Sequence, residues 1–147
     1  MRKYSDQVFN QDLISHLKKK QEVHVHILHP DQIEDDKYNP LLDKQEKQKS
    51  QSFVFAKDRR LYTAAHLFLR QTLSLYEPFK QESWQFSYDH FGKPAISSPN
   101  PNHLTFNLSH THSMIACTVS FQINLGVDVE RHRSLDNFKG MLLTGTA

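Results

Sequence analysis

The sequence predicts an α+β fold in which a small antiparallel sheet packs against one long helix. Apolar residues recur at helical spacing over 58–76, which predicts a helix with a broad buried face that ends at Glu77-Pro78. Four further segments are rich in β-branched or alternating apolar residues and predict strands. These segments are 23–28, 84–88, 104–108 and 113–129.

The first predicted strand carries a pair of histidines. The segment V-H-V-H-I-L at 23–28 alternates, so His24 and His26 share one face of the strand. A metal site that also uses His29 is conceivable there. The pattern favours the simpler interpretation, which is an exposed strand face.

A second helix is predicted to begin at Asn39-Pro40, because Asn is a favoured cap and Pro fits the first helical turn. This helix carries Lys44, Lys47 and Lys49, and a solvated helix face is the simplest interpretation of such a run. The last apolar run is predicted to form a hairpin from 113–121 and 123–129.

Composition limits the possible functions. A chain of 147 residues is one domain by length, and its net charge of +2 is too small for a typical nucleic-acid-binding protein. The single cysteine, Cys117, excludes an internal disulfide and a cysteine-based zinc site, and its apolar neighbours predict a buried thiol. No run is long enough to span a membrane, and the first residues lack the apolar core of a signal peptide. A cytoplasmic protein is therefore expected.

Three short motifs follow one another in the second half of the sequence: F-G-K-P at 91–94, F-N-L-S-H at 106–110 and G-V-D-V-E at 126–130. Asp128 and Glu130 are two apart on a strand, so their carboxylates share a face and suit a hard cation such as Mg²⁺. Lysine on a turn and a Ser-His pair can donate to phosphate. Taken singly, the motifs also fit a solvated strand, a plain turn and a local hydrogen-bonding turn.

Together with Q-S-F-V-F-A-K-D-R-R at 51–60 and a helix ending in L-F-L-R at Arg70, these motifs resemble the 4′-phosphopantetheinyl transferases of the Sfp type, in the holo-[acyl-carrier-protein] synthase superfamily. The resemblance extends from about Leu41 to Arg131 and covers the N-terminal half of that family. It implies a half of the transferase fold, and transfer of phosphopantetheine from coenzyme A to a carrier-protein serine with Mg²⁺.

The resemblance also implies roles for individual residues. Asp128 and Glu130 are expected to bind Mg²⁺, and the implied partners are coenzyme A and an acyl or peptidyl carrier protein, with no nucleic acid or membrane. Five residues are expected to contact coenzyme A. These are Lys49, Lys93, Asn107, Ser109 and His110.

Residues 1–131 are thus expected to be one half of a phosphopantetheinyl transferase, and 132–147 an atypical tail where the second half would begin. The family motif W-[ST]-x-K-E-[AS]-x-x-K, whose Glu and Lys complete the metal site and supply a base, does not occur in the sequence. A truncated enzyme, weak or inactive alone, is expected, with no catalytic base in this half and possible self-association through an uncovered interface. The alternatives are a coenzyme A-binding pseudoenzyme or remnant and, less favoured, a basic interaction module.

Overall fold

The computed structural model describes residues 8–33, 39–121, 125–131 and 138–145, with side chains described up to Phe121 except for Lys20. The described chain combines helices with small antiparallel sheets, which confirms the α+β class. The helices are α1 (Gln11–Lys20), α2 (Lys44–Ser52) and α3 (Ala56–Tyr76). The strands are β1 (His24–Leu28), β2 (Gln85–Tyr88), β3 (Pro94–Ser98), β4 (Leu104–Thr111), β5 (Met114–Phe121), β6 (Leu125–Arg131) and β7 (Phe138–Gly145).

Helix α3 forms the centre of the molecule, as its apolar periodicity predicts. It begins at Ala56 rather than Asp58, which lies in the first turn, where a carboxylate interacts favourably with the helix dipole. The helix ends before Glu77-Pro78, as predicted. Two clusters of apolar side chains cover successive parts of α3. One includes Leu69 and Leu73 and the other Leu61 and Phe68.

The main sheet has three antiparallel strands in the order β1-β5-β4. Cys117 lies opposite His26 and Leu108, and its thiol is buried, which confirms the prediction for this residue. Two predictions about strand pairing are wrong. The segment 84–88 pairs with β3 in a separate two-stranded sheet, and β6 pairs with β7 instead of forming the predicted hairpin with 113–121. Alternation predicts that a segment is a strand, but it does not determine which strand is its partner.

The start of the lysine-bearing helix also differs from the prediction. Asn39 and Pro40 lie in a single 3₁₀ turn, and α2 begins later, with Asp43 as its cap. The Asp43 side chain accepts from the backbone N–H of Glu46 at 2.8 Å, and Glu46 returns a bond to the N–H of Asp43 at 3.0 Å. This reciprocal pair is a capping box. Helix α1 was not predicted, because its polar sequence has only a narrow apolar face.

The histidines of β1 do not form an exposed strand face, so that prediction is wrong. The Tyr76 hydroxyl lies 2.7 Å from His24 Nδ1 and 2.7 Å from His26 Nε2, and Tyr76 is fully buried. His24 Nε2 lies 2.8 Å from a Glu22 carboxylate oxygen. The two histidines are therefore hydrogen-bonded to Tyr76 at the end of α3, about fifty residues away in the sequence. His29 instead caps the 3₁₀ turn that follows β1.

None of the helices in the described part of the chain is long and apolar enough to cross a membrane.

Acid should destabilise the corner formed by β1 and the end of α3. Burial and the nearby His24 lower the pKa of His26 from 6.5 to about 4. A histidine whose folded-state pKa is lowered stabilises the fold above its unfolded pKa, and that contribution is lost as the pH falls. We expect the free energy of unfolding to decrease between pH 6.5 and 4, as measured by urea denaturation. The His26→Gln variant should lose part of this dependence, whereas changing the exposed His16 to Gln should not.

Candidate functional site

A cavity of about 450 Å³ lies between α2, α3 and the hairpin formed by β2 and β3. Its wall combines a cationic side chain, two tyrosines, a histidine and two glutamines with the backbone of the hairpin turn. The lining residues are Gln45, Gln48, Lys49, Tyr62, His66, Tyr88, Gly92 and Pro94.

The hairpin turn holds the Gly-Lys-Pro motif in a fixed shape. The Asp89 side chain accepts hydrogen bonds from the backbone N–H groups of Phe91 at 2.9 Å and Lys93 at 2.8 Å. Gly92 has a φ of 85°, a conformation that favours glycine. The turn therefore presents Lys93 on an exposed and well-defined backbone.

Three of the predicted coenzyme A contacts line cavities that meet at this turn. Lys49 lines the 450 Å³ cavity, with its Nζ atom 5.6 Å from the centre of the Phe53 ring. Lys93 and Asn107 line a neighbouring cavity of about 340 Å³. Gly92 and Pro94 belong to both walls, so the two cavities adjoin at the turn that carries Lys93.

Ser109 and His110 lie further along β4, opposite Ala116 and Ile115 of β5, and neither lines these two cavities. The His110 ring is still within electrostatic reach of His66. Desolvation by its surroundings lowers the pKa of His110, and the nearby His66 and His112 lower it further. His110 is therefore neutral near pH 7 and can donate only one hydrogen bond.

The predicted metal ligands lie on β6, and their side chains are outside the described part of the structure. Asp128 lies opposite Leu142 of β7, and the pairing is irregular between Val129 and Arg131, where Glu130 stands. Strand β6 runs close to β4, which carries three of the predicted coenzyme A contacts. Among the residues with described side chains, no group of three potential metal ligands is found. The Mg²⁺ site stays a prediction.

A buried ionic network forms the floor beneath this cavity. Glu46 is fully buried, and its carboxylate accepts from Arg70 Nε at 2.9 Å and also from Arg70 Nη2. The second carboxylate oxygen of Glu46 lies 2.7 Å from His66 Nδ1. Arg70 is also fully buried and donates to Asp43 and to the carbonyls of Gln81 and Trp84. The network joins α2, α3 and the segment leading into β2.

The network keeps Glu46 charged. Burial alone would raise the pKa of Glu46, but hydrogen bonds from His66 and Arg70, with the charge of Arg70, outweigh it and lower the pKa below its ordinary value. The carboxylate therefore remains ionised inside the protein, where an unpaired charge would be costly.

Two tyrosines complete the polar wall of the cavity. The Tyr62 ring stacks on the His66 ring with centroids 4.2 Å apart and an interplanar angle of 26°. The Tyr88 hydroxyl is buried and finds no well-aligned hydrogen-bond partner among the described residues. The Tyr62 phenol is nevertheless close enough to affect the pKa of Tyr88. Burial raises the pKa of both phenols, that of Tyr88 to about 12, so both remain neutral donors.

The sequence reasoning missed His66, Tyr62, Tyr88 and Glu46. A signal for two of them was present, because Tyr62 and His66 precede Arg70 at spacings of four on α3, so the three residues share a face. A cation at the end of such a row, within the apolar part of the helix, indicates a buried acidic partner. Nothing in the sequence indicates that this partner is Glu46.

Residues 29–121 match the family model described as 4′-phosphopantetheinyl transferase, N-terminal. This match covers more than half of the chain. The chain belongs to this family. The match includes the Gly-Lys-Pro turn, the buried network and the F-N-L-S-H strand, so the predicted family is confirmed.

A curated relative agrees with this assignment. The chain is 30% identical over 90 residues to the 4′-phosphopantetheinyl transferase HetI of Nostoc sp. (strain PCC 7120). The matched region is 60% of this chain and 38% of the relative, so the chain spans well under half the length of the transferase that it matches.

Breaking the buried network from one side should strongly destabilise the protein. Replacing Arg70 by Met leaves the Glu46 carboxylate buried without its main partner, which typically costs about 3–5 kcal/mol. Replacing Glu46 by Gln should have an effect of similar size. Urea denaturation measures both changes, and the double variant should cost clearly less than their sum because the partners interact directly. Additive effects would contradict the pairing seen here.

Proposed function

We propose that this chain binds coenzyme A and takes part in moving its phosphopantetheine arm onto a serine of an acyl or peptidyl carrier protein, with Mg²⁺. The observation that carries the proposal is the arrangement of Lys49, Lys93 and Asn107 around a single Gly-Lys-Pro turn. Ammonium and amide groups on the walls of two neighbouring cavities suit a ligand that carries several phosphates. Family membership supplies the reaction class.

The chain's own residues would bind and orient the nucleotide end of coenzyme A. Lys49 would offset phosphate charge from α2 and Lys93 from the turn, while Asn107 would donate from β4. The neutral His110 would add one hydrogen bond, and Ser109 would contact the nucleotide from the same strand. Holding the phosphates in this way aligns the pyrophosphate for attack by the serine oxygen.

Asp128 and Glu130 would hold the Mg²⁺. Carboxylate oxygens are the donors that this ion prefers, and β6 runs beside the strand that carries Asn107, Ser109 and His110. Bound there, the ion would act as a Lewis acid toward the pyrophosphate oxygens.

Transfer also requires a base that removes the proton of the carrier serine. The 147-residue sequence does not contain the family motif that was expected to supply a lysine as this base. We therefore propose that the chain by itself binds coenzyme A but transfers its arm slowly or not at all. A coenzyme A-binding protein without catalytic activity is the alternative that uses the same cavity.

Replacing Lys93 by Ala should weaken coenzyme A binding about ten-fold or more. A charge-assisted hydrogen bond contributes roughly 1.5–3 kcal/mol, and about 1.4 kcal/mol corresponds to ten-fold in affinity. Isothermal titration calorimetry with coenzyme A and Mg²⁺ measures the effect. The matched control is Lys80→Ala, because Lys80 is also exposed but lines neither of these two cavities. Equal losses in the two variants would show that only net charge matters.

Mass spectrometry of an apo-carrier protein incubated with the chain, coenzyme A and Mg²⁺ tests the transfer step. We expect little or no gain of the phosphopantetheine mass, because losing a general base alone typically costs about 10²- to 10⁴-fold. Rapid modification that is abolished by Asp128→Ala would contradict this expectation. It would place the base among the residues of this chain.

A further inference from the structure

We propose that Asp89 is a positioning residue for Lys93, because its carboxylate fixes the backbone from which the Lys93 side chain reaches a phosphate group of the ligand. The inference rests on the proposed function, since it takes Lys93 as a contact of coenzyme A. It adds a residue outside the predicted contacts, and the charge of this residue has the wrong sign for binding a phosphate directly.

Two sets of hydrogen bonds close the Gly-Lys-Pro turn. In the backbone, the Asp89 N–H donates to the Lys93 carbonyl at 3.1 Å and the Gly92 N–H donates to the Asp89 carbonyl at 2.9 Å. The Asp89 side chain adds a second set, because its Oδ1 atom accepts from the N–H groups of Phe91 at 2.9 Å and Lys93 at 2.8 Å. The backbone of Lys93 is therefore held directly by the Asp89 carboxylate.

The tip of the hairpin depends on these hydrogen bonds more than on packing. Residues 89–93 are all exposed, and the Phe91 side chain is 84% exposed, so little burial holds them in place. Gly92 has a φ of 85°, and glycine adopts positive and negative φ about equally well, so Gly92 permits this turn without selecting it. The carboxylate of Asp89 supplies part of that selection.

The charge of Asp89 argues for an indirect role. Asp89 and Lys93 both line a cavity of about 720 Å³ between the hairpin and the start of β4. A carboxylate on this wall repels a phosphate group and offsets part of its attraction to Lys93. Asparagine keeps the acceptor oxygen and favours the same kind of turn, but it carries no charge. Substitution by Asn and by Ala therefore separates the hydrogen bonds of Asp89 from its charge.

The contribution of Lys93 sets an upper limit, because a residue that acts only through Lys93 cannot contribute more than Lys93 does. Without the carboxylate, the ligand has to restrict the turn when it binds. Fixing the backbone of one residue corresponds to roughly a five- to thirty-fold change in an equilibrium constant. The backbone hydrogen bonds still hold part of the turn in Asp89→Ala, so we expect the lower end of this range.

Isothermal titration calorimetry with coenzyme A and Mg²⁺ tests the proposal in wild-type protein and in single and double variants. We expect Asp89→Ala to bind about five-fold more weakly, and Asp89→Asn to bind at least as tightly as wild type. In a Lys93→Ala background, Asp89→Ala should change the affinity by less than about two-fold. The matched control is Asp12→Ala, which removes an exposed carboxylate from α1 that lines none of these cavities and should keep the wild-type affinity.

The pattern across the variants distinguishes positioning from two other roles. Tighter binding by both Asp89 variants would show that Asp89 acts through its charge alone. A five-fold loss from Asp89→Ala that persists in the Lys93→Ala background would show general damage to the fold, and an equal loss in Asp89→Asn would show that the acceptor oxygen is not what matters. Each of these results overturns the inference.

A second measurement needs no ligand. The backbone N–H groups of Phe91 and Lys93, followed by NMR, should exchange with water faster in Asp89→Ala than in wild type or Asp89→Asn, and unchanged exchange would overturn the inference. If wild-type protein binds no coenzyme A, the proposed function and this inference both fail. If it binds, and Lys93→Ala weakens binding while Asp89→Ala does not, only the inference about Asp89 is overturned.

Discussion

The ion pair between Glu46 and Arg70 is the interaction on which the rest of the site depends. Both side chains are fully buried, and Arg70 also fixes two backbone carbonyls in the segment that leads into β2. One guanidinium thus holds α2, α3 and the start of the hairpin in register. Since the cavity lies between these three elements, its shape follows from this network.

A buried ion pair is an expensive way to join helices, because apolar side chains of similar volume can give equal stability. Here the ion pair has a second effect. The Glu46 carboxylate that accepts from Arg70 also holds His66, so one residue both locks the helices and orients a side chain on the cavity wall. An apolar replacement would keep the packing but would leave His66 without its partner.

Local features could be predicted from the sequence, and long-range partners could not. The Gly-Lys-Pro turn, the long helix and the buried Cys117 each depend on a few neighbouring residues, and the sequence predicted them. His24 and His26 were misassigned to an exposed face because the hydroxyl that binds them belongs to Tyr76, at the far end of α3. The Glu46–His66 pair was missed for the same reason, since it joins two helices across twenty residues. Spacing alone indicates only a turn at Lys93 and a strand at Asn107, and their contact with coenzyme A is a prediction from the family resemblance.

The most direct test of the account is the location of bound coenzyme A on the protein. Backbone amide chemical shifts of the isotope-labelled chain, recorded with and without coenzyme A, report this at single residues. The account predicts the largest changes at Lys49, at the turn from Gly92 to Lys93 and at Asn107, with little change around His24 and Tyr76. Saturable chemical-shift changes confined to the corner around His24 and Tyr76 would contradict this prediction. The absence of any change around the Gly-Lys-Pro turn would contradict it as well.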